Sequence, residues 1–131
     1  MPRKLRLQHP DLLVFVTNRC LEARYFSSPD EEGLVNAAFA LSLREAQLLH
    51  QIEAFAYVLM GNHFHGLFRG NLLNMPAFMR DLQSKFARRL NRIRGRRGTV
   101  FPDRYHDQFV KNGDSAELTQ AMYCLLNPVR A

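Results

Sequence analysis

Only Gly61 and Asn62 separate two apolar, strand-like runs, "AFAYVLM" (54–60) and "HFHGLFR" (63–69). So short a break reads as a tight β-hairpin. It restricts the fold because helical patterns flank it on both sides. Upstream, Leu34, Ala38, Leu41, Leu48 and Ile52 recur at helical spacing and predict an amphipathic helix over 34–52. Downstream, Pro76 suits the first turn of a second helix running to about Arg94, with Phe78, Leu82, Phe86, Leu90 and Ile93 as its buried stripe. "LLVFVTN" (12–18) predicts a strand before the first helix, and "RYHDQFV" (104–110) predicts one after the second. Between them, "LEARYFSSPDEEG" reads as a loop and "GRRGT" as a helix breaker. Asp114 and Glu117 form a capping pair for a last helix, ended near Asn127 by Pro128. The order β-α-β-β-α-β-α is an α+β, ferredoxin-like split βαβ pattern with an antiparallel sheet and an added C-terminal helix. That architecture hosts many activities and does not itself define one.

At 131 residues without repeats, linkers or low-complexity tracts, the chain is expected to be one domain over 1–131. No membrane span or signal peptide is legible, and the cytoplasm is the expected compartment. Cys20 and Cys124 make no metal spacing with each other and read as reduced thiols. The net charge of +6 and pI near 9.9 favour an anionic partner, above all nucleic acid. That charge is concentrated. Arg80, Lys85, Arg88, Arg89, Arg92, Arg94, Arg96, Arg97 and Arg104 face only Asp81 and Asp103 over the same stretch. A solvated helix face is the plainer reading of such a cluster, but the shortage of balancing acids favours a surface for phosphates.

Within the second strand of the hairpin, His63 and His65 are two apart and therefore project from one face. Two imidazoles so placed can share a divalent ion. A bare H-x-H is nonetheless more often a pair of structural or solvent-facing histidines. A third ligand and a nucleophile at the same face strengthen the metal reading, and the last helix offers both. Its Leu118, Met122 and Leu125 fall on a core-facing stripe, while Tyr123 and Asn127, four apart, share a face away from it. Tyr105 and His106 are further candidates to line the site. Tyr25, in the polar loop, has nothing in the sequence to place it near the histidines and reads as structural. Tyr57 reads as core, His50 as a charge partner at a helix C-terminus, and Cys124 as a small buried residue.

"YVLMGNHFHGLF", "KFARRLNRIRGRRGTVFPDRYHDQFV" and "YCLLNPVRA" together resemble the IS200-like single-tyrosine transposases of the HUH superfamily, in particular the REP-associated tyrosine transposases. The family strings read M-P-N-H-x-H, then N-x-x-x-G with a basic helix, then Y-x-x-x-N-P-V-[RK]-A. The likeness runs from "FVTNR" (15–19) to the C-terminus. Residue by residue, it implies that His63 and His65 bind a divalent ion, that Tyr123 is the nucleophile, and that Asn127 completes the metal site. Two departures stand out. Gly61 replaces the usual proline, which is expected to loosen the hairpin, and the chain stops at Ala131 where relatives run further, as a C-terminally trimmed domain would.

The resemblance implies a metal-dependent nickase and strand transferase acting on single-stranded DNA beside a hairpin, through a 5′-phosphotyrosine intermediate. Mg²⁺ or Mn²⁺ would serve, with the nitrogen ligands tilting the choice to Mn²⁺ in vitro. Lys85, Arg88, Arg89, Arg92, Arg96 and Arg97 are expected to hold the DNA backbone. Base contacts are expected from Asn18, Arg19 or the segment around Arg104. Two other classes stay open: a domesticated, non-catalytic module gripping hairpin DNA or RNA, and a phosphodiesterase activating water. Both a homodimer and a monomer are compatible with the resemblance.

Overall fold

The computed structural model describes residues 13–71 and 73–110. Four strands and two helices appear in the order β1 (Leu13–Arg19), α1 (Leu34–His50), β2 (Glu53–Leu59), β3 (His63–Arg69), α2 (Met75–Arg94) and β4 (His106–Val110). The sheet order is β2-β3-β1-β4, and every neighbouring pair is antiparallel. This is the split βαβ arrangement: β3 lies between β1 and β2, which α1 connects, and β1 lies between β3 and β4, which α2 connects. The expected last helix, with Tyr123, Cys124 and Asn127, lies outside the described residues.

Local chemistry explains where the helices begin and end. Asp30 accepts hydrogen bonds from the backbone N–H groups of Leu34 (3.0 Å) and Val35 (2.9 Å), satisfying donors that the first turn of α1 leaves over. These bonds, that from Val35 first, hold its carboxyl below the usual carboxylate range. Pro76 occupies the first turn of α2, and Gly95 ends that helix in the left-handed conformation (φ 63°) that glycine adopts without steric cost.

One face of the sheet carries the helices. Phe39 of α1 meets Phe64 of β3 (5.4 Å between ring centroids), Tyr57 of β2 (5.2 Å) and Phe86 of α2 (5.0 Å), while Phe68 of β3 meets Phe78 of α2 (5.1 Å). The stripe expected on α1 is only partly the buried one. Ala38 is buried, but Leu34, Leu41 and Leu48 are 45%, 48% and 75% exposed, and Val35, Phe39, Leu43 and Ala46 fill the core instead. Apolar residues surround much of this helix, so two stripes fit its period, and the sheet selects the one bearing Phe39. On α2 the expected stripe is the observed one, with Ile93 partly buried at its end. The sheet face opposite α1 and α2 carries a smaller apolar cluster around Leu67, with Leu13, Phe15, Ala56 and Val58.

Candidate functional site

Alternation along β3 separates core from chemistry. Phe64, Gly66 and Phe68 point to the helices and are buried, so His63 and His65 emerge together on the opposite face. There His65 pairs with Thr17 of β1 and Val58 of β2, and His63 pairs with Arg19. The two rings stand edge to face, 4.8 Å apart, with their Nε2 atoms separated by 3.1 Å.

Neighbours fix both rings. The Asn62 amide donates to the Ala23 carbonyl (3.3 Å), which turns its Oδ1 toward His63 Nδ1 at 2.7 Å. His63 therefore donates from Nδ1 and keeps a lone pair on Nε2, as a metal-binding histidine oriented by an outer partner does. His65 stacks on Phe15 at 5.5 Å, nearly parallel, and its buried Nδ1 has no hydrogen-bond partner among the described residues. Burial, then the neighbouring His63 and Arg19, lowers the His65 pKa to about 4; burial and Arg19 lower that of His63. Both rings are thus neutral near pH 7, the protonation state a ligand needs.

The pair fits a divalent ion. Two nitrogens each about 2.1 Å from a shared ion, at angles between a right angle and the tetrahedral one, lie roughly 3.0–3.4 Å apart. The observed 3.1 Å falls within that span. With or without an ion at the Nε2 atoms, the buried His65 Nδ1 has no partner among the described residues, so the fit rests on the spacing of the two Nε2 atoms. No group of three His, Cys, Asp or Glu side chains suited to a metal occurs among the described residues. His106 lies on the same face, across Thr17 from His65, two strands and so about 10 Å away.

The basic residues divide into three sets. Lys85 and Arg89 turn toward α1: Lys85 Nζ donates to Glu45 Oε2 (3.1 Å), and Arg89 donates to Glu45 Oε1 and to Ser42 Oγ (2.8 Å). Arg96 holds loop structure. It lies 3.9 Å over the Phe26 ring and donates to Asn91 Oδ1 (2.6 Å) and the Thr99 carbonyl (3.1 Å). Arg88, Arg92 and Arg97 are exposed on α2 and beyond its end, where Arg88 and Arg92 border a groove of about 220 Å³ shared with Glu45, Lys85 and Arg89. This groove is on the helical layer, and the histidines are on the other side of the sheet.

Among the residues expected to touch bases, Arg19 is exposed beside His63, and Arg104 lies over the Tyr105 ring at 5.9 Å. Asn18 is a correction. It follows Val14 and Val16 onto the helical face, is 2% exposed, and donates to Gln83 Oε1 and the Asp103 carbonyl (3.1 Å). Its amide joins β1 to α2 and to the segment before β4, and no base can reach it. Tyr123 and Asn127 lie outside the described residues.

Among solved structures, the chain matches a REP-associated tyrosine transposase bound to a REP hairpin. The TM-score is 0.75 at 14% identity, over 99% of this chain and 74% of that one. It also matches a Deinococcus radiodurans R1 protein assigned as a transposase, with TM-score 0.61 at 18% identity, over 93% and 94% of the two chains. The chain shares the α+β fold of these two proteins. No protein-family model and no curated protein matches the sequence.

The structure also shows what reading the sequence missed. Asn62 orients His63, and its place immediately before the histidine pair was the available signal. Tyr25, unplaced by the sequence, rests against Gly61: a Cβ built there would lie 2.9 Å from Tyr25 Cδ1 and 3.0 Å from Ser28 Oγ. Glycine at 61 does not leave the hairpin loose. Its carbonyl accepts from Ser27 N (2.9 Å), and the Met60 carbonyl accepts from Ser27 Oγ (2.6 Å).

Proposed function

We propose that this chain is a metal-dependent single-stranded DNA nickase and strand transferase of the single-tyrosine transposase type, acting at hairpin-associated sites. The observation that carries the reading is the pair of neutral imidazoles on the sheet face opposite α1 and α2, Nε2 to Nε2 at 3.1 Å, with His63 locked by Asn62. The fold likeness supports it, since one of the matched structures is a tyrosine transposase bound to a hairpin.

In this reading His63 and His65 supply two nitrogen ligands and Asn127 an amide oxygen. An Mg²⁺ or Mn²⁺ ion held there would offset the charge that grows on the phosphate oxygens during transfer. Tyr123 Oη attacks the scissile phosphorus and loses its proton. The bond from phosphorus to the 3′ oxygen breaks, and that oxygen takes up a proton as a free 3′-hydroxyl. The 5′-phosphotyrosine ester keeps the energy of the phosphodiester, so a 3′-hydroxyl can reverse the step without ATP. A phenol with pKa about 10 is a weak nucleophile at neutral pH, which is why the phosphate must be activated. Arg88, Arg92 and Arg97 hold the DNA backbone outside the reacting centre, and Arg19 does so beside it.

The test is incubation of labelled hairpin-flanked single strands with the protein and Mn²⁺, followed by a denaturing gel. A protease-sensitive covalent adduct that disappears in Tyr123→Phe and His63→Ala is expected. Cleavage surviving in Tyr123→Phe would refute the phosphotyrosine route in favour of activated water. Tight hairpin binding without an adduct on any substrate would leave a binding module.

A further inference from the structure

We infer that Tyr25 is a stacking platform for one nucleobase at the rim of the histidine site; this rests on the single-strand DNA reading above. Tyr25 is 71% exposed, more than any other tyrosine or phenylalanine among the described residues. A large ring left in water needs a reason when the chain holds it in place. Here the hold is extensive. The ring lies against Gly61, where a Cβ would approach Cδ1 to 2.9 Å, so the missing side chain forms its seat. Arg94 at the end of α2 donates to the carbonyls of Phe26 (3.0 Å) and Ser28, and Arg96 covers Phe26 from above. On the other side Glu22 and Ala23 adopt left-handed backbone (φ 52° and 53°), a costly state for non-glycine residues, with the Ala23 carbonyl taking the Asn62 amide.

Location supplies the ligand. Gly61 is two residues from His63, so their Cα atoms are at most about 7.6 Å apart. Asn62, between them, is hydrogen-bonded both to the Tyr25 loop and to the His63 ring. Arg19 beside His63 is exposed and offers charge to a passing backbone, as does Arg24 beside the tyrosine, which also pairs with Glu22 at 3.6 Å. An exposed, immobilised aromatic ring flanked by cations is the arrangement that binds single-stranded nucleic acid, because every base has a face to stack. Unpaired bases next to the scissile phosphate are therefore the ligand, and a paired stem is not.

The experiment measures fluorescence anisotropy with a labelled hairpin bearing a random-sequence single-stranded flank of about 12 nucleotides, within the range one small domain covers. Wild type, Tyr25→Ala, Tyr25→Phe and Gly61→Ala are compared across salt, with circular dichroism melting as a check on folding. Tyr25→Ala is expected to weaken binding roughly five- to a hundredfold, the range of one aromatic–base stack. Its dependence of log affinity on log salt should match wild type, because stacking releases no counterions. Tyr25→Phe should bind like wild type, and Gly61→Ala should bind like Tyr25→Ala although its tyrosine is intact. Equal affinity of Tyr25→Ala and wild type overturns the inference and leaves the nickase reading standing. A salt slope shallower by about one overturns it too, since the loss would then be a phosphate contact. If wild type itself does not bind, both readings fall together.

Discussion

Gly66→Ala is the most direct test of how β3 serves the core and the histidines at once. A Cβ at Gly66 would lie 2.4 Å from Phe68 Cζ and 2.6 Å from Cε2. The ring has nowhere to go: Phe68 and Phe78 are both 0% exposed and meet edge to face. Overpacking of this kind costs about 1–3 kcal/mol. Replacing glycine in a strand returns about 0.5–1 kcal/mol by reducing the freedom of the unfolded chain. A net loss of up to about 2.5 kcal/mol is expected, read as a lower urea midpoint by circular dichroism at unchanged slope. The sharper readout is a double-mutant cycle with Phe68→Leu, which removes the ring atoms in conflict. Strong non-additivity of about 1 kcal/mol or more is expected, the pair being more stable than the sum of the singles. If Gly66→Ala is additive with Phe68→Leu, then Phe68 does not lie beneath Gly66 as described.

Three further outcomes follow from the site. Asn62→Ala should leave the fold intact but weaken Mn²⁺ binding about 10- to 100-fold by titration calorimetry, because His63 loses the partner that sets its tautomer; unchanged affinity would remove Asn62 from the site. Glu45→Gln frees Lys85 and Arg89 for phosphates, so log DNA affinity should fall more steeply with log salt, by about 0.7–0.9 for each cation that finds a phosphate; an unchanged slope would place the groove away from the DNA. In chelator-treated protein, His65 contributes nothing above about pH 6.5, where it is neutral folded and unfolded. Between 6.5 and about 4 the unfolded chain takes up a proton that the folded one resists, so stability should fall as pH falls. His65→Gln should flatten that part of the urea-midpoint profile, and an unaltered profile would mean that His65 titrates normally.

The frame was largely legible because its signals are local. Gly61 and Asn62 between two alternating runs, Pro76 at the start of α2 and Gly95 at its end each act within a turn or two. The same period that placed the core stripe of α2 failed on α1, where leucines occupy both sides and only contact with Phe64 and Phe86 decides. The histidine pair was legible through strand parity, and the same parity puts Asn18 with Val14 and Val16 in the core. Partners distant in sequence were not legible. Nothing between residues 45 and 85 announces that Glu45 will take Lys85 and Arg89 from the expected phosphate surface, or that a loop tyrosine will reach Gly61.

The histidines stand on β3, an interior strand hydrogen-bonded on both sides, while Asn62 and Tyr25 belong to the turns at its end. Interior strands are among the last parts of a domain to open, and turns are among the first. In the proposed function, the spacing of the two imidazoles would therefore be set by an interior strand and would need no ordering when substrate arrives. Of the two turn residues, Asn62 is tied to the His63 ring, whereas Tyr25 touches neither imidazole and can be exchanged without disturbing the 3.1 Å between them. In the proposed function, the choice of unpaired bases at Tyr25 would therefore be adjustable separately from the chemistry at the histidines.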